Sequence, residues 1–208
     1  NTYDEQKAAA LFQKLADYDV YVTPTIFINK TIVNLAEEDH SEDPYLRYLS
    51  RKIIQTYQGR VNSAKNQSPA AQEFRKDLYS KFLEIIPQMH EAGVPLLAGS
   101  DAGAYNSYVY PGLSLHQELQ LMASTGIPNA EILKIATLSG AAFLGVDQVF
   151  GKIEKDRVAD ILLLNANPLE DLKNLQDIYG VNFGSFYMSR SYLDSLLERV
   201  RRPDFIGI

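Results

Sequence analysis

Apolar residues recur at helical spacing at Ala8, Leu11, Phe12 and Leu15, and the run from Val20 to Ile28 (VYVTPTIFI) is β-branched and aromatic. The chain is therefore expected to open with a helix from Asp4 to Asp17 and pass into a buried strand. Pro24 lacks a ladder donor, which predicts that the strand ends there or leaves its free side there. Residues 29–70 have little periodicity: NLAEEDHSEDP is acidic and turn-rich, Tyr45 to Tyr57 has an amphipathic pattern, and GRVNSAKNQSP reads as a polar loop. A surface insertion with weak order is expected there. Pro69 opens a long helical pattern through Phe74, Leu78, Phe82, Ile85, Ile86 and Met89, closed by Gly93.

Val94 to Ala98 is short, continuous and apolar, the pattern of a strand covered on both faces, and runs into Gly99-Ser100-Asp101-Ala102-Gly103. Helix, tight turn, buried strand and glycine-flanked acid form a parallel α/β unit, in which ligands sit at the strand's C-terminal edge. Ser114 is expected to begin the next helix, with Gln117 as its capping-box partner and Leu115, Leu119 and Met122 facing inward. Another helix starts near Pro128-Asn129 and ends at Gly145. Strands then return, with Ile161 to Leu164 as one and GVNFGSFYM as a second candidate, before a terminal helix over 191–202. There is no internal repeat.

Composition narrows the function. With 208 residues, 46% of them hydrophobic, the chain can bury a core. A net charge of −6 removes the basic field that nucleic acid requires, and the one basic cluster, Arg199, Arg201 and Arg202, ends a mixed-charge helix. The absence of cysteine excludes disulfides, a thiolate nucleophile and Cys-ligated metal, and leaves the compartment undecided. No apolar run reaches the roughly 18 residues of a membrane span. Asn1-Thr2-Tyr3-Asp4-Glu5 has neither an initiator Met nor the features of a leader, and reads as an internal boundary.

Asp101 is the sharpest candidate for chemistry. A carboxylate after a buried strand and between two glycines suits a metal ligand or general base, although an Asp capping the next turn has the same local sequence. His116 and Glu118 stand near the start of the helix expected to open on the same face. There a histidine feels the positive helix end and stays neutral at pH 7, while a glutamate is also favoured for stability alone. His90 fits a helix C-terminus, and His40 lies in the acidic stretch EEDHSED. The sequence lacks H-x-H, H-E-x-x-H, G-x-S-x-G, a P-loop and G-x-G-x-x-G. Three scattered histidines and no cysteine do not assemble a His-dominated zinc site, so any metal chemistry must borrow ligands.

Three ordered segments, VPLLAGSDAG (94–103), GLSLHQELQLMASTGIPNAEILKIATLSGAAFLG (112–145) and GKIEKDRVADILLLNANPLEDL (151–172), resemble the C-terminal half of the metal-dependent amidohydrolase superfamily, in its imidazolonepropionase-like and prolidase-like branch. The resemblance implies an α/β fold: the last part of a (β/α)8 TIM barrel, with VYVTPTIF as strand seven and Val94 to Ala98 as strand eight, plus part of a small β-sandwich. It implies a division into residues 1–145, with 29–70 as a surface insertion, and 146–208. Asp101 would be the strand-eight aspartate, which ligates metal and handles the proton of the attacking water. His116 and Glu118 match the family's H-x-E-L signature and would stand beside the substrate mouth. The cofactor implied is a divalent metal, zinc, as one or two ions.

Asp156-Arg157 replaces the family's usual Gly-Lys turn, a tolerable change because Asp visits the left-handed region readily. A TIM barrel needs about 250 residues, so the length implies that strands one to six, with the H-x-H and the other metal ligands, are missing. The expectation is the C-terminal portion of an enzyme that hydrolyses an amide, cyclic amide or dipeptide bond in a small molecule, inactive alone. Self-association or pairing with a missing N-terminal half would cover its open edges. The alternatives are a complementing or non-catalytic fragment and, less favoured, a sugar- or lipid-binding module built on Tyr105, Tyr108 and Tyr110.

Overall fold

The computed structural model describes residues 3–103 and 106–201. Helix α1 (Glu5–Asp17) is capped by Asp4, whose carboxylate accepts from the Lys7 amide, and it buries Phe12. The expected strand over Val20–Ile28 shrinks to one parallel bridge between Val22 and Leu96, in which Val22 N donates to Pro95 O at 3.0 Å and Leu97 N donates to Val22 O at 2.9 Å. Pro24 cannot extend the ladder, and Thr25 at φ 49° turns the chain into α2 (Ile26–Asn34). The apolar residues that looked like strand interior, Ile26 and Ile28, are buried from a helix instead.

Gly99 explains how the two bridged segments approach so closely. A Cβ there would lie 2.7 Å from Thr23 Cγ2, on a β-branched side chain with little χ1 freedom. Gly99→Ala is expected to cost about 1–3 kcal/mol in a urea titration; an unchanged midpoint would show that Thr23 yields freely.

Residues 29–70 fold rather than wander. Helix α3 (Arg51–Lys65), capped by Ser50, includes most of the stretch that read as a polar loop. Ile54, Tyr57, Val61 and Ala64 form a buried stripe on it, which packs with Leu35, Leu46, Tyr108 and Tyr110 into a second core. Helix α4 (Pro69–Glu91) follows the expectation, with Ser68 as N-cap, Pro69 in the first turn and Gly93 at φ 82° just beyond its end. Helix α5 (Leu113–Ser124) starts from Gly112, not Ser114. Ser114 lies inside it, its Oγ accepts from Tyr110 N at 2.8 Å, and the expected capping box with Gln117 is not formed. Helix α6 (Asn129–Lys134) runs through a π turn at Ile135–Ser139 into α7 (Gly140–Phe143), and Gly145 follows at φ 68°. The main core gathers Phe12, Ile26, Leu96, Leu119, Met122 and Ile132 from five different segments.

Strands β1 (Ile161–Leu164), β2 (Ile178–Phe183) and β3 (Phe186–Ser189) form an antiparallel sheet in that order. GVNFGSFYM, expected as one strand, is a hairpin in which Phe183 faces Phe186 across a turn with Gly184 at φ 59°. Asp156 does adopt φ 65°, as its place in the turn required. Leu172 and Leu175, on the turn of 3-10 helix between β1 and β2, bury themselves in the main core and tie the sheet to it. Helix α8 (Arg190–Val200) closes the described chain, and Arg202 of the expected basic cluster lies outside the described residues. Among the described residues no helix is long and apolar enough to cross a membrane.

Strand β1 is an edge of the sheet with Leu162 and Leu163 each 40% exposed, and Ile153 beside it is 84% exposed. An unpaired apolar edge favours association. Sedimentation velocity at micromolar concentration is expected to show species larger than a monomer; a single monomeric boundary would count against it.

Candidate active site

Asp101 follows the segment that pairs with Val22 and is exposed. The positive φ of this loop falls on Asp101 itself, at 52°, and not on the glycines flanking it. An L-residue pays of order 1 kcal/mol for that conformation, least when it is Asp or Asn. Asn106 Nδ2 holds the turn by donating to the Asp101 carbonyl at 2.5 Å and to its Oδ2 at 3.1 Å. Oδ1 has no hydrogen-bond partner among the described residues.

His116 is half-buried on α5, and its buried Nδ1 has no hydrogen-bond partner. Burial pulls its pKa below the ordinary 6.5, so the imidazole is neutral at pH 7. A histidine whose native pKa is depressed contributes stability present above 6.5 and lost as pH falls through the native value. The His116 Cε1–H resonance is expected to titrate with a midpoint below 6.5. His116→Gln should remove that part of the acid destabilisation; a midpoint at or above 6.5 would contradict the burial.

Glu118 has a different task. It is fully buried, and its Oε1 accepts from Ile26 N at 2.9 Å while Oε2 accepts from Phe27 N at 2.6 Å. Both oxygens thus satisfy amides at the start of α2, which has no side-chain cap from Thr25. Desolvation raises the Glu118 pKa, and the Phe27 and Ile26 amides lower it in part. Among the described residues no hydrogen bond joins Asp101, His116 and Glu118.

The remaining histidines take structural places. His90 lies in the last turn of α4. His40 stacks on Tyr108 with ring centroids 3.8 Å apart and has Nε2 3.6 Å from Glu38. Tyr108 and Tyr110 are buried in the second core, while Tyr105 lies outside the described residues. Tyr110 donates to Asp43 Oδ2 at 2.8 Å, a link between the 35–48 stretch and the loop before α5. Sequence reading missed this cluster because its polar members lie 67 residues apart; the only signal was the 54-57-61-64 stripe.

The chain's relatives bear on what this arrangement serves. Residues 32–184 match the model of the Amidohydrolase family. The chain belongs to that family. Among solved structures, bottromycin amidohydrolase superposes with a TM-score of 0.69 over 90% of this chain and 42% of that one, at 22% identity. A protein of Bifidobacterium longum described as a prolidase gives a TM-score of 0.58 at 25% identity, over 86% of this chain and 39% of that one. An Xaa-Pro dipeptidase with methionine bound in its active site gives 0.57 at 19% identity, over 81% and 34%. The amidohydrolase chain thus spans well under half the length of these structures. No curated protein matches it.

Amidohydrolases as a family hold divalent metal, and the donors present here can be weighed against such an ion. Asp101 fits one position of its shell, with an exposed carboxylate oxygen free of partners. Glu118 does not, because both its oxygens are taken. Among the described residues no group of three or more His, Cys, Asp or Glu could hold an ion.

Proposed function

We propose that this amidohydrolase chain is the C-terminal part of a hydrolase that cleaves the C–N bond of an amide, cyclic amide or dipeptide. The observation that carries the reading is Asp101, an exposed carboxylate set in a strained turn at the end of a buried segment, within a chain that matches the family over residues 32–184. Val20–Pro24 and Val94–Ala98 stand for barrel strands seven and eight, residues 1–145 for the barrel portion, and 146–208 for part of the small sandwich. A divalent metal, zinc, supplies when bound the Lewis acidity that lets water attack at neutral pH. Asp101 would be one of the residues holding the metal, and would take the proton of the attacking water and pass it to the leaving nitrogen. His116, neutral, is assigned to the substrate mouth on the family's H-x-E-L signature, with its Nδ1 buried and unpartnered. Glu118 supports that mouth indirectly, by holding the start of α2.

The dipeptide arm of this reading is favoured by the prolidase and Xaa-Pro dipeptidase likenesses. The test is release of free amine from L-methionyl-L-proline and from a panel of N-acyl amides in the presence of zinc. The chain alone is expected to be silent, and the chain joined to a segment supplying the other metal ligands is expected to hydrolyse. Turnover by the isolated chain would overturn its incompleteness. Silence of the joined form on every substrate would favour a non-catalytic fragment.

A further inference from the structure

Asp101 owes its setting to one side chain five residues further along. The side-chain amide of Asn106 divides its donation between the Asp101 carbonyl and the carboxylate oxygen Oδ2. The first contact braces the backbone of a residue at φ 52°, and the second restrains the carboxylate and leaves Oδ1 as the oxygen without a partner among the described residues. Both acceptors are oxygens, so a carboxylate or an aliphatic side chain at position 106 could replace neither bond. Asn106 is itself anchored. Its backbone N–H donates to Gly103 O at 3.0 Å, and its carbonyl accepts from Val109 N at 3.3 Å. The four residues that follow it, Ser107 to Tyr110, are all buried. Tyr108 stacks on His40 and tilts against Tyr57, both in the 35–65 stretch. Tyr110 N donates to Ser114 Oγ on α5, and the Tyr110 hydroxyl donates to Asp43, each at 2.8 Å. The half-buried Asn106 thus extends from a stretch held on two sides, whereas the exposed Asp101 carboxylate has no other hydrogen bond among the described residues.

We propose that Asn106 is a positioning residue for the reaction, holding Asp101 in one rotamer with Oδ1 left for chemistry, and that the second core holds Asn106 through Tyr108 and Tyr110. The physical reason is that an exposed carboxylate with no partner rotates among several staggered states, of which a reaction uses one. Misplacing a reacting group by about 1 Å can cost about 10²-fold in rate, and the hydrogen-bond partners of a metal-binding side chain are typically worth about 10- to 100-fold. The proposal rests on the hydrolytic reading of Asp101 and adds to it the group that aims the carboxylate. It also gives the 29–70 insertion a task, because the residues that anchor Asn106 pack against that insertion.

Nuclear magnetic resonance of the whole chain supplies a first readout that needs neither metal nor substrate. The two Hα–Hβ couplings of Asp101 are expected to have the values of a single rotamer in the parent chain and to move to the averaged values of free rotation in Asn106→Ala. Asn106→Asp has the same shape without the amide donor; it is expected to do the same, and keeps the test open should the alanine variant fold poorly. In the hydrolytically competent form, Asn106→Ala is expected to lower kcat by about 10- to 100-fold with KM little changed. In an Asp101→Asn background the same change should lower kcat no further, because the group it aims is already lost. Averaged couplings in the parent chain, or single-rotamer couplings kept in both Asn106 variants, would overturn the proposal on this chain alone. Full kcat in Asn106→Ala beside a collapsed Asp101→Asn would overturn it and leave the hydrolytic reading standing. Retained turnover in Asp101→Asn would overturn that reading, and the proposal with it.

Discussion

Replacing Glu118 by alanine is expected to lower the unfolding free energy by roughly 3–5 kcal/mol, the largest single effect on stability foreseen in this chain. The carboxylate accepts two backbone bonds from Ile26 and Phe27, inside a site closed to water. Hydrogen bonds to a charged group contribute about 1.5–3 kcal/mol each, and alanine would leave two amides without an acceptor. Glu118→Gln keeps one carbonyl oxygen and should fall between the two. The pH dependence has a definite sign. Burial raises the native pKa of Glu118 above 4.5, so its titration contributes stability that is full below 4.5 and lost as pH rises through the native value. The cost of Glu118→Gln should therefore shrink as pH rises across that range. Urea titrations of the three proteins at several pH values decide it. A loss under about 1 kcal/mol for alanine would mean that α2 finds another cap.

The same residue shows how far the sequence could be read. The H-x-E-L pattern located Glu118 on the right helix, but which element it meets depends on a contact 92 residues away at Ile26, and no local spacing encodes that. The misreading of Val20–Ile28 has the same origin. β-branched and aromatic runs favour strands only where neighbours supply a ladder, and here one bridge to Leu96 is all the described chain offers. Thr25 then takes the left-handed region, and the apolar residues bury themselves from a helix.

Elements carried by local signals were legible to the residue: Pro69 and Gly93 bound α4 because a missing donor and a positive φ mark helix ends whatever surrounds them. Ile161–Leu164 was legible as strand because four apolar residues between turns leave few other choices. Residues 29–70 looked loose because their mean polarity hid a stripe that needed Tyr108 and Tyr110 to complete its core. The turn that carries Asp101 was visible from its glycine-rich setting. The strain proved to lie on the acid rather than on the glycines, a point only backbone geometry reveals.

Asp101→Asn is expected to reduce turnover by about 10²- to 10⁴-fold in the hydrolytically competent form, the span associated with losing a positioned general base. Stability should not follow. Asn tolerates positive φ as well as Asp does, its carbonyl can still accept from Asn106 Nδ2, and the side chain is exposed, so the urea midpoint should hold within about 0.5 kcal/mol. Asp101→Ala separates the two contributions in the other direction. It removes the same chemistry and also forfeits the left-handed preference, so it should lose turnover to a similar degree and about 1 kcal/mol of stability besides. Loss of turnover with an unchanged midpoint in the Asn protein assigns Asp101 to the reaction. Turnover within a few-fold of the parent would leave Asp101 as the residue that shapes the turn, and the proton would have to go elsewhere.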